Sequence, residues 1–282
     1  MAGKQVTELD TLPSFTDTSL LPVHNGAGLK KGLLSQLANY LGTKFSNPNL
    51  LINPDFKINQ RGATSYEQQG YSVDRWKIWN VTVTPSTSGG ITVKNDKYTD
   101  TGTFLQYLEN ATEGDSTLSC YVTSVSGTVT MVADDNSQVV LKQGLNVVHT
   151  SKSTKTFTIF LNRGTSITLK WVKLEQGKVA TAFIVPNYAD ELMKCRRYYN
   201  FIVAHFYGPS NPDGFINEDL ATLRDFRTSP TFNIKSTYSS GVTESTLAMK
   251  GSSTNGYYLY GRTLTSGKYA LDVTITADAE IY

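Results

Sequence analysis

Between residues 48 and 186 apolar and polar positions alternate with a period of two. Val81 and Val83, Ile91 and Val93, Val129 and Met131, Phe157, Ile159 and Leu161, and Ile167, Leu169 and Trp171 recur at every second position. That period puts one face of each segment on a core and predicts β-strands. Ser88-Gly89-Gly90, Ala133-Asp134-Asp135-Asn136, Gln143-Gly144 and Asn162-Arg163-Gly164 interrupt the runs at strand-length intervals with hairpin-turn chemistry. Many short strands with no helical period between them predict an antiparallel jelly-roll β-sandwich. Trp76 and Trp171 fall on alternating strands and are assigned to the core. Trp79 lies three residues from Trp76, so a regular strand turns it the other way, and it is assigned to the surface.

The period changes at residues 187–199. Pro186 ends the extended run, Asn187 is an N-cap residue, and Tyr188, Leu192, Cys195 and Tyr199 form one apolar stripe at helical spacing. Asp190 and Glu191 in the first turn and Arg196 and Arg197 in the last suit the helix dipole, so a short connecting helix is predicted. Residues 200–282 return to strand-like runs parted by Gly, Pro, Ser and Asn, rich in tyrosine at Tyr207, Tyr238, Tyr257, Tyr258, Tyr260 and Tyr269. They predict a smaller C-terminal β domain. Residues 1–47 form a separate unit, with turn chemistry at Asp17–Ser19 and Asn25–Gly28 around an apolar run at Leu20–Val23. Ser35 is positioned to cap a helical turn carrying Leu37, Tyr40 and Leu41 that stops at Gly42. A piece of that size cannot bury a core alone and needs a partner surface. The expected organisation is therefore 1–47, 48–186, 187–199 and 200–282, mainly β throughout.

Composition sharpens this reading. The chain has 282 residues, 26 basic and 24 acidic, for a net charge of +2. That balance supplies no positive excess for phosphate or an anionic bilayer, so neither nucleic acid nor membrane is expected as partner. Only 18% of residues are charged, which fits a β-rich protein with polar strand faces. No run nears the about 18 apolar residues of a membrane span, and the start MAGKQVTELD lacks the basic-then-apolar pattern of an export signal, so assembly in the cytoplasm of a cell is expected. Two distant cysteines, Cys120 and Cys195, fit buried free thiols in that compartment.

Catalytic motifs are missing: there is no G-x-S-x-G, H-E-x-x-H, Walker loop or G-x-G-x-x-G behind a strand, and His24, His149 and His205 lie in three separate segments. No enzyme activity, cofactor or metal is expected. Asp134, Asp135 and Asn136 read as a turn, with calcium ligation as the alternative role for their oxygens. The aromatic residues carry the functional case. Sugar rings pack their C–H faces on Trp and Tyr while nearby polar side chains bond the hydroxyls, and the candidates for such contact are Trp79, Tyr71, Tyr98, Tyr107 and Tyr257, with Tyr66 beside them. Arg75 next to Asp74 is a candidate for an ion pair with a neighbouring strand, and Arg196 and Arg197 for closing the interface to the C-terminal unit. The polar stretch Gly208–Gly214 reads as an exposed loop tip.

Three segments carry a resemblance: KLEQGKVATAFIVPNYADELMKCRRYY at 173–199, NLLINPDFKINQRG at 49–62 and YSVDRW at 71–76, supported by LRDFRTSPTF at 223–232 and ADAEIY at 277–282. Together they resemble bacteriophage fibre and appendage proteins with a carbohydrate-binding-module-like jelly roll. The resemblance implies a virion structural protein on head or tail, commonly a homotrimer, that contacts host-surface glycans. The first 45 residues resemble, more weakly, short attachment segments in which a strand pair leads through basic residues to a small helix, which makes Leu20, Leu21, Val23, Lys30, Lys31, Leu37 and Leu41 the candidates for docking on a capsid or tail protein. The chain has no repetitive shaft, so a short fibre is expected. Two rival readings are a stand-alone carbohydrate-binding module and a polysaccharide depolymerase.

Overall fold

A computed structural model describes residues 16, 19–24, 29–42, 45–67, 69–212, 214–220, 223–252, 256–264 and 266–281. The period-two segments form two stacked antiparallel sheets. In chain order the strand pair β1 (Leu20–His24) and β2 (Leu29–Leu33) leads into helix α1 (Leu34–Gly42). The strands β3 (Gly70–Tyr71), β4 (Lys77–Trp79), β5 (Thr82–Pro85), β6 (Ile91–Asn95), β7 (Gly102–Tyr107), β8 (Ser116–Ser126), β9 (Val129–Val132), β10 (Gln138–Val140), β11 (Gly144–Thr150), β12 (Thr156–Leu161) and β13 (Thr165–Gln176) make the sandwich. One sheet has six strands in the order β10-β9-β12-β7-β4-β3, and the other has five, β11-β8-β13-β6-β5. The crossings between sheets are those of an antiparallel jelly-roll sandwich.

Its core centres on Trp76, which is fully buried. The indole stacks on Phe104 at 4.6 Å and 7°, meets Phe157 edge-on at 5.9 Å, and donates its N–H to the Asn53 carbonyl at 2.9 Å. An aromatic cluster that also satisfies the indole N–H is stabilising beyond its buried area. Trp171 departs from the expectation. The register of β13 shifts between Thr168 and Trp171, so the inward parity moves from Ile167 and Leu169 to Val172 and Leu174. The bulge turns Trp171 to the outer face, where it stacks on Phe183 at 4.6 Å. Phe183 belongs to the extended crossing after β13. Thr181 in that crossing bonds the buried Lys173 and Glu175, which pair at 3.1 Å.

The chain enters and leaves the sandwich at one edge. Leu50 N–H donates to the Leu174 carbonyl at 2.8 Å, Asn49 donates to the Val172 carbonyl at 3.0 Å, and Ala182 N–H donates to the Phe45 carbonyl at 3.3 Å.

Helix α2 (Tyr188–Arg196) starts as predicted, with the Asn187 side chain accepting from the Ala189 and Asp190 N–H groups. Its buried stripe is Glu191 and Cys195, whereas Tyr188 is exposed. Glu191 takes the inward position because its carboxylate accepts from Asn53 N–H at 2.7 Å. The chain then forms β14 (Tyr199–Ser210), β15 (Phe215–Leu220), β16 (Thr231–Ser240), β17 (Val242–Ser252), β18 (Gly256–Thr263) and β19 (Gly267–Asp278), arranged as two three-stranded sheets, β14-β19-β16 and β15-β18-β17. A second core lies between them, including Ile216, Leu223, Leu259, Leu271, Val273 and Ile275. Gly208 and Pro209 belong to β14, paired with Tyr269 and Lys268, so the expected loop tip begins only after Ser210, and residue 213 within it lies outside the described residues.

In the first unit Ser35 lies inside α1 rather than capping it. The residue that serves the helix start is Gln36, whose side chain accepts from Leu33 N–H at 2.9 Å. The turn expected at Asp17–Ser19 falls largely, and that at Asn25–Gly28 wholly, outside the described residues.

Candidate ligand-binding face

The outward parity of the six-stranded sheet collects the residues best suited to contact a ligand. Trp79 on β4 pairs with Thr103 on β7, Thr103 pairs with Phe160 on β12, Phe160 pairs with Thr130 on β9, and Thr130 pairs with Val140 on β10. Cross-strand partners project to the same side, so Trp79, Thr103, Phe160, Thr130 and Val140 form one row across five strands. Trp79 is 48% exposed, Phe160 36% and Val140 51%. Two strand spacings separate Trp79 from Phe160, about 10 Å at the backbone, with a threonine between them. The neighbouring row runs Tyr71, Lys77, Leu105, Thr158, Val132 and Gln138. Behind this face the opposite parity, Ile78, Phe104 and Ile159, is fully sealed in the core, so the exposed rings stand on a rigid base.

The sheet thus gathers three of the five sequence candidates, Trp79, Tyr71 and Tyr107, on one face. Their settings differ. Tyr71 and Tyr107 are half-buried at the end nearest the C-terminal unit: the Tyr71 hydroxyl donates to the Ile281 carbonyl, and the Lys77 ammonium lies 6.0 and 5.6 Å from the Tyr71 and Tyr107 ring centres. Tyr98 is half-buried in the loop after β6 and donates to the Glu67 carbonyl, and Tyr66 donates to the Asn59 side chain. Tyr257 is a correction. It is only 6% exposed, held edge-on by Phe226 at 6.2 Å and Phe232 at 4.7 Å, because the inward parity of β18 is fixed by Leu259; Tyr258 is the residue that turns outward. Phe160 and Val140 went unnoticed in the sequence. Phe160 sits on the polar parity of a run whose other parity, Phe157, Ile159 and Leu161, is core, and an aromatic residue on the wrong parity was the available signal.

The chemistry of this face is binding by contact. The nearest acidic turn, at Asp134, is committed: its carboxylate accepts from the Lys155 and Thr156 N–H groups and the Thr156 hydroxyl. Asp135 is held below its usual carboxylate range by the Thr150 hydroxyl and the Ser137 N–H. Among the described residues no group of three or more His, Cys, Asp or Glu side chains is arranged to hold a metal ion. A cleft of about 650 Å³ between residues 106–113 and α2 is lined by Tyr107, Glu109, Glu113, Lys194 and Arg197. It is less suited to a sugar than the sheet face, because Arg197 and Glu109 pair across it at 3.2 Å and no exposed ring stands in it.

The motifs that carry the sequence resemblance converge elsewhere, on the junction between the two sandwiches. Arg75 is buried and pairs with Glu280, not with its neighbour Asp74. Arg61 lies 3.4 Å from Asp74 and 3.6 Å from Glu280 and stacks 3.8 Å over Tyr199, while Arg75 stacks 3.5 Å over Tyr198. Arg227 donates to the Ala279 and Glu280 carbonyls at 3.1 and 3.2 Å. Arg197 closes the junction on its other side; Arg196 is exposed. Burial pushes Glu280 above its ordinary value against the pull of Arg75 and Arg61, and burial raises Asp74 likewise.

In the first unit Leu20, Leu37 and Leu41 are exposed together with Leu33, Tyr40 and Phe45, Lys31 is exposed and Leu21 is half-buried. Val23 and Lys30 fall in β1 and β2, with side chains outside the described residues.

No protein-family model matches this chain, and no curated protein matches it. Among solved structures it is similar to a mutant of a family 29 carbohydrate-binding module, at 9% identity over 44% of this chain and 100% of that one, with a TM-score of 0.29. It is also similar to recombinant discoidin II of Dictyostelium discoideum, at 11% identity over 70% of this chain and 84% of that one, with a TM-score of 0.23. At such distance neither likeness assigns a ligand, and the chemistry rests on the residues of this chain.

Proposed function

We propose that this protein is a non-catalytic binding protein whose six-stranded sheet face takes an extended glycan across the Trp79–Phe160 row. One observation carries the reading: of three tryptophans, Trp76 is core and Trp171 lies against Phe183, while Trp79 is held open to solvent beside a second exposed ring on a rigid sheet. A chain of sugars laid perpendicular to the strands meets a ring, a threonine hydroxyl and a second ring in succession, and Lys77, Thr158 and Gln138 in the next row offer polar contacts.

The setting in which such a face works is a short bacteriophage fibre on the capsid or tail of the virion, its subunits assembled in the host cytoplasm and its outward face meeting host-surface glycans. The support is the set of sequence segments quoted above and a first unit that leaves Leu20, Leu37, Tyr40, Leu41 and Phe45 uncovered, as a segment docked on another protein would.

Glycan-array screening of the whole chain, followed by calorimetry on the best binder, tests the binding reading. Trp79→Ala should lower affinity about tenfold or more, equivalent to about 1.4 kcal/mol, and Phe160→Ala by a smaller factor. Unchanged affinity in both variants would sink it. Deleting residues 1–45 should leave a folded β protein that no longer joins particles; normal incorporation removes the docking role.

A further inference from the structure

The sheet β15-β18-β17 of the C-terminal unit turns rings and charges outward together. Ile216, Leu220, Tyr257 and Leu259 set its inward parity on the second core. The opposite parity stands in three cross-strand rows: Asp219, Tyr258 and Lys250; Asn217, Tyr260 and Ala248; Phe215, Arg262 and Thr243. Phe215 is 57% and Tyr258 36% exposed, Tyr260 is half-buried, and Asn217, Asp219, Lys250 and Arg262 are exposed. Beside Tyr258, Asn217 and Asp219 line a depression of about 440 Å³.

Cations and rings interleave on this face. Lys250 Nζ lies 3.7 Å from the Tyr260 ring centre, Tyr260 stacks on Phe215 at 5.5 Å and 30°, and the Arg262 guanidinium lies 5.8 Å from the Phe215 ring centre. The cations are thus steadied by rings, which leave their charge unneutralised. Among the described residues neither Lys250 nor Arg262 has a carboxylate within 4 Å, and the Asn217 and Asp219 side chains make no hydrogen bond. The other acids of these strands are occupied: Glu244 accepts from the Ser236 and Ser239 hydroxyls, and Glu218, on the inward parity, from the Tyr269 hydroxyl. The face therefore holds two open cations against one open carboxylate, Asp219, which stands two strand spacings from Lys250, about 10 Å at the backbone.

We propose that this face is a second saccharide site and that it takes a sugar carrying an acidic group, a carboxylate or a sulfate. Tyr258 and Phe215 present ring surface to sugar C–H groups, Asn217 and Asp219 face the hydroxyls, and Lys250 and Arg262 receive the acid. Single-stranded nucleic acid is the less fitting anion. It stacks its bases on free ring faces, whereas Tyr260, on the middle strand, has Lys250 on one side and Phe215 on the other. The site is separate from the Trp79 row, which lies on the other sandwich, so neither reading depends on the other.

An array of acidic glycans, each beside its uncharged counterpart, tests it on the full chain carrying Trp79→Ala. That substitution removes the first site from the readout, so failure of the earlier reading leaves this result untouched. The expected result is binding to acidic members and not to their neutral counterparts; whether carboxylated or sulfated members bind best names the acid. By calorimetry on the best binder, Lys250→Gln and Arg262→Gln should each lower affinity about tenfold, Tyr258→Ala should lower it too, and Lys250→Arg should retain it, all with unchanged circular dichroism. If the Trp79→Ala chain binds no acidic glycan, the proposal is overturned. Undiminished affinity in the folded Lys250→Gln and Arg262→Gln variants overturns it as well. So does equally tight binding of polyglutamate, an acid without sugar, because charge alone would then account for the affinity.

Discussion

Replacing Glu280 by alanine removes the anion from a pair whose side chains are 0% and 1% exposed. Arg75 then keeps its bond to the Tyr107 carbonyl and its stacking on Tyr198 but loses its buried counter-charge, and its backbone N–H loses the Glu280 oxygen at 3.3 Å. Breaking a buried pair from one side costs about 3 to 5 kcal/mol, a large share of the about 5 to 15 kcal/mol that holds a domain together. The loss should fall on the docked segment 278–281, which the Tyr198 carbonyl, Arg227 and Tyr71 also hold. Trp76, next in sequence to Arg75, is a natural fluorescent reporter. Urea unfolding followed by tryptophan emission should show the first midpoint lowered by about 2 M, from that energy and an m-value of about 2 kcal/mol/M. Replacing both partners with methionine should recover most of the loss, because no charge is then left buried. A midpoint for Glu280→Ala equal to wild type refutes the reasoning. The same site has a pH signature. Its carboxyl is raised above 4.5 by burial, so the native state keeps a proton that the unfolded chain has released. Its contribution is therefore most favourable below pH 4.5 and declines as pH rises from there to the raised native value. Glu280→Gln should flatten stability across that window; superimposable profiles would contradict it.

Two further outcomes follow from burial. Trp76→Ala should cost about 3 to 5 kcal/mol and Trp79→Ala no more than about 0.5 kcal/mol by the same urea assay, and the reverse order would mean that the segment 76–79 turns its other side to the core. Burial pushes the Cys120 thiol up to about 12 and holds Cys195 well above its ordinary value, so Ellman's reagent at pH 8 should find no thiol in the native protein and both in urea; rapid native labelling would contradict the packing.

The alternation of apolar positions such as Ile91 and Val93 with polar ones such as Thr92 and Lys94 made the sandwich legible, because each strand buries one face and the period survives without knowledge of its neighbours. Opposite orientations for Trp76 and Trp79 followed from parity alone, and the Asn187 cap from local hydrogen bonding. What stayed hidden depends on distant partners. Period two predicts Trp171 inward, since nothing in LKWVKLEQ announces the bulge against β8. Tyr257 and Tyr258 alternate in either register, and only the sheet-wide position of Leu259 decides which is buried. Strand β15 shows no clean alternation in sequence, because Asn217, Glu218 and Asp219 dilute its pattern. The Trp79 row is least legible of all: it joins β4, β7, β12, β9 and β10, and no local period reveals that residues 79, 103, 160, 130 and 140 stand side by side.

The meeting of Asn49 and Leu50 with Val172 and Leu174 has a consequence for how such chains diversify. A unit whose two ends lie at one edge can be lifted out and replaced without moving what comes before or after it, since both cut points close onto the same place. Recombination at these ends would exchange the exposed six-stranded face as a cassette, provided the incoming module brings partners for the C-terminal segment such as Arg61, Arg75 and Tyr71. Compatibility between modules would then be set by that buried junction, while the exposed rows are free to drift.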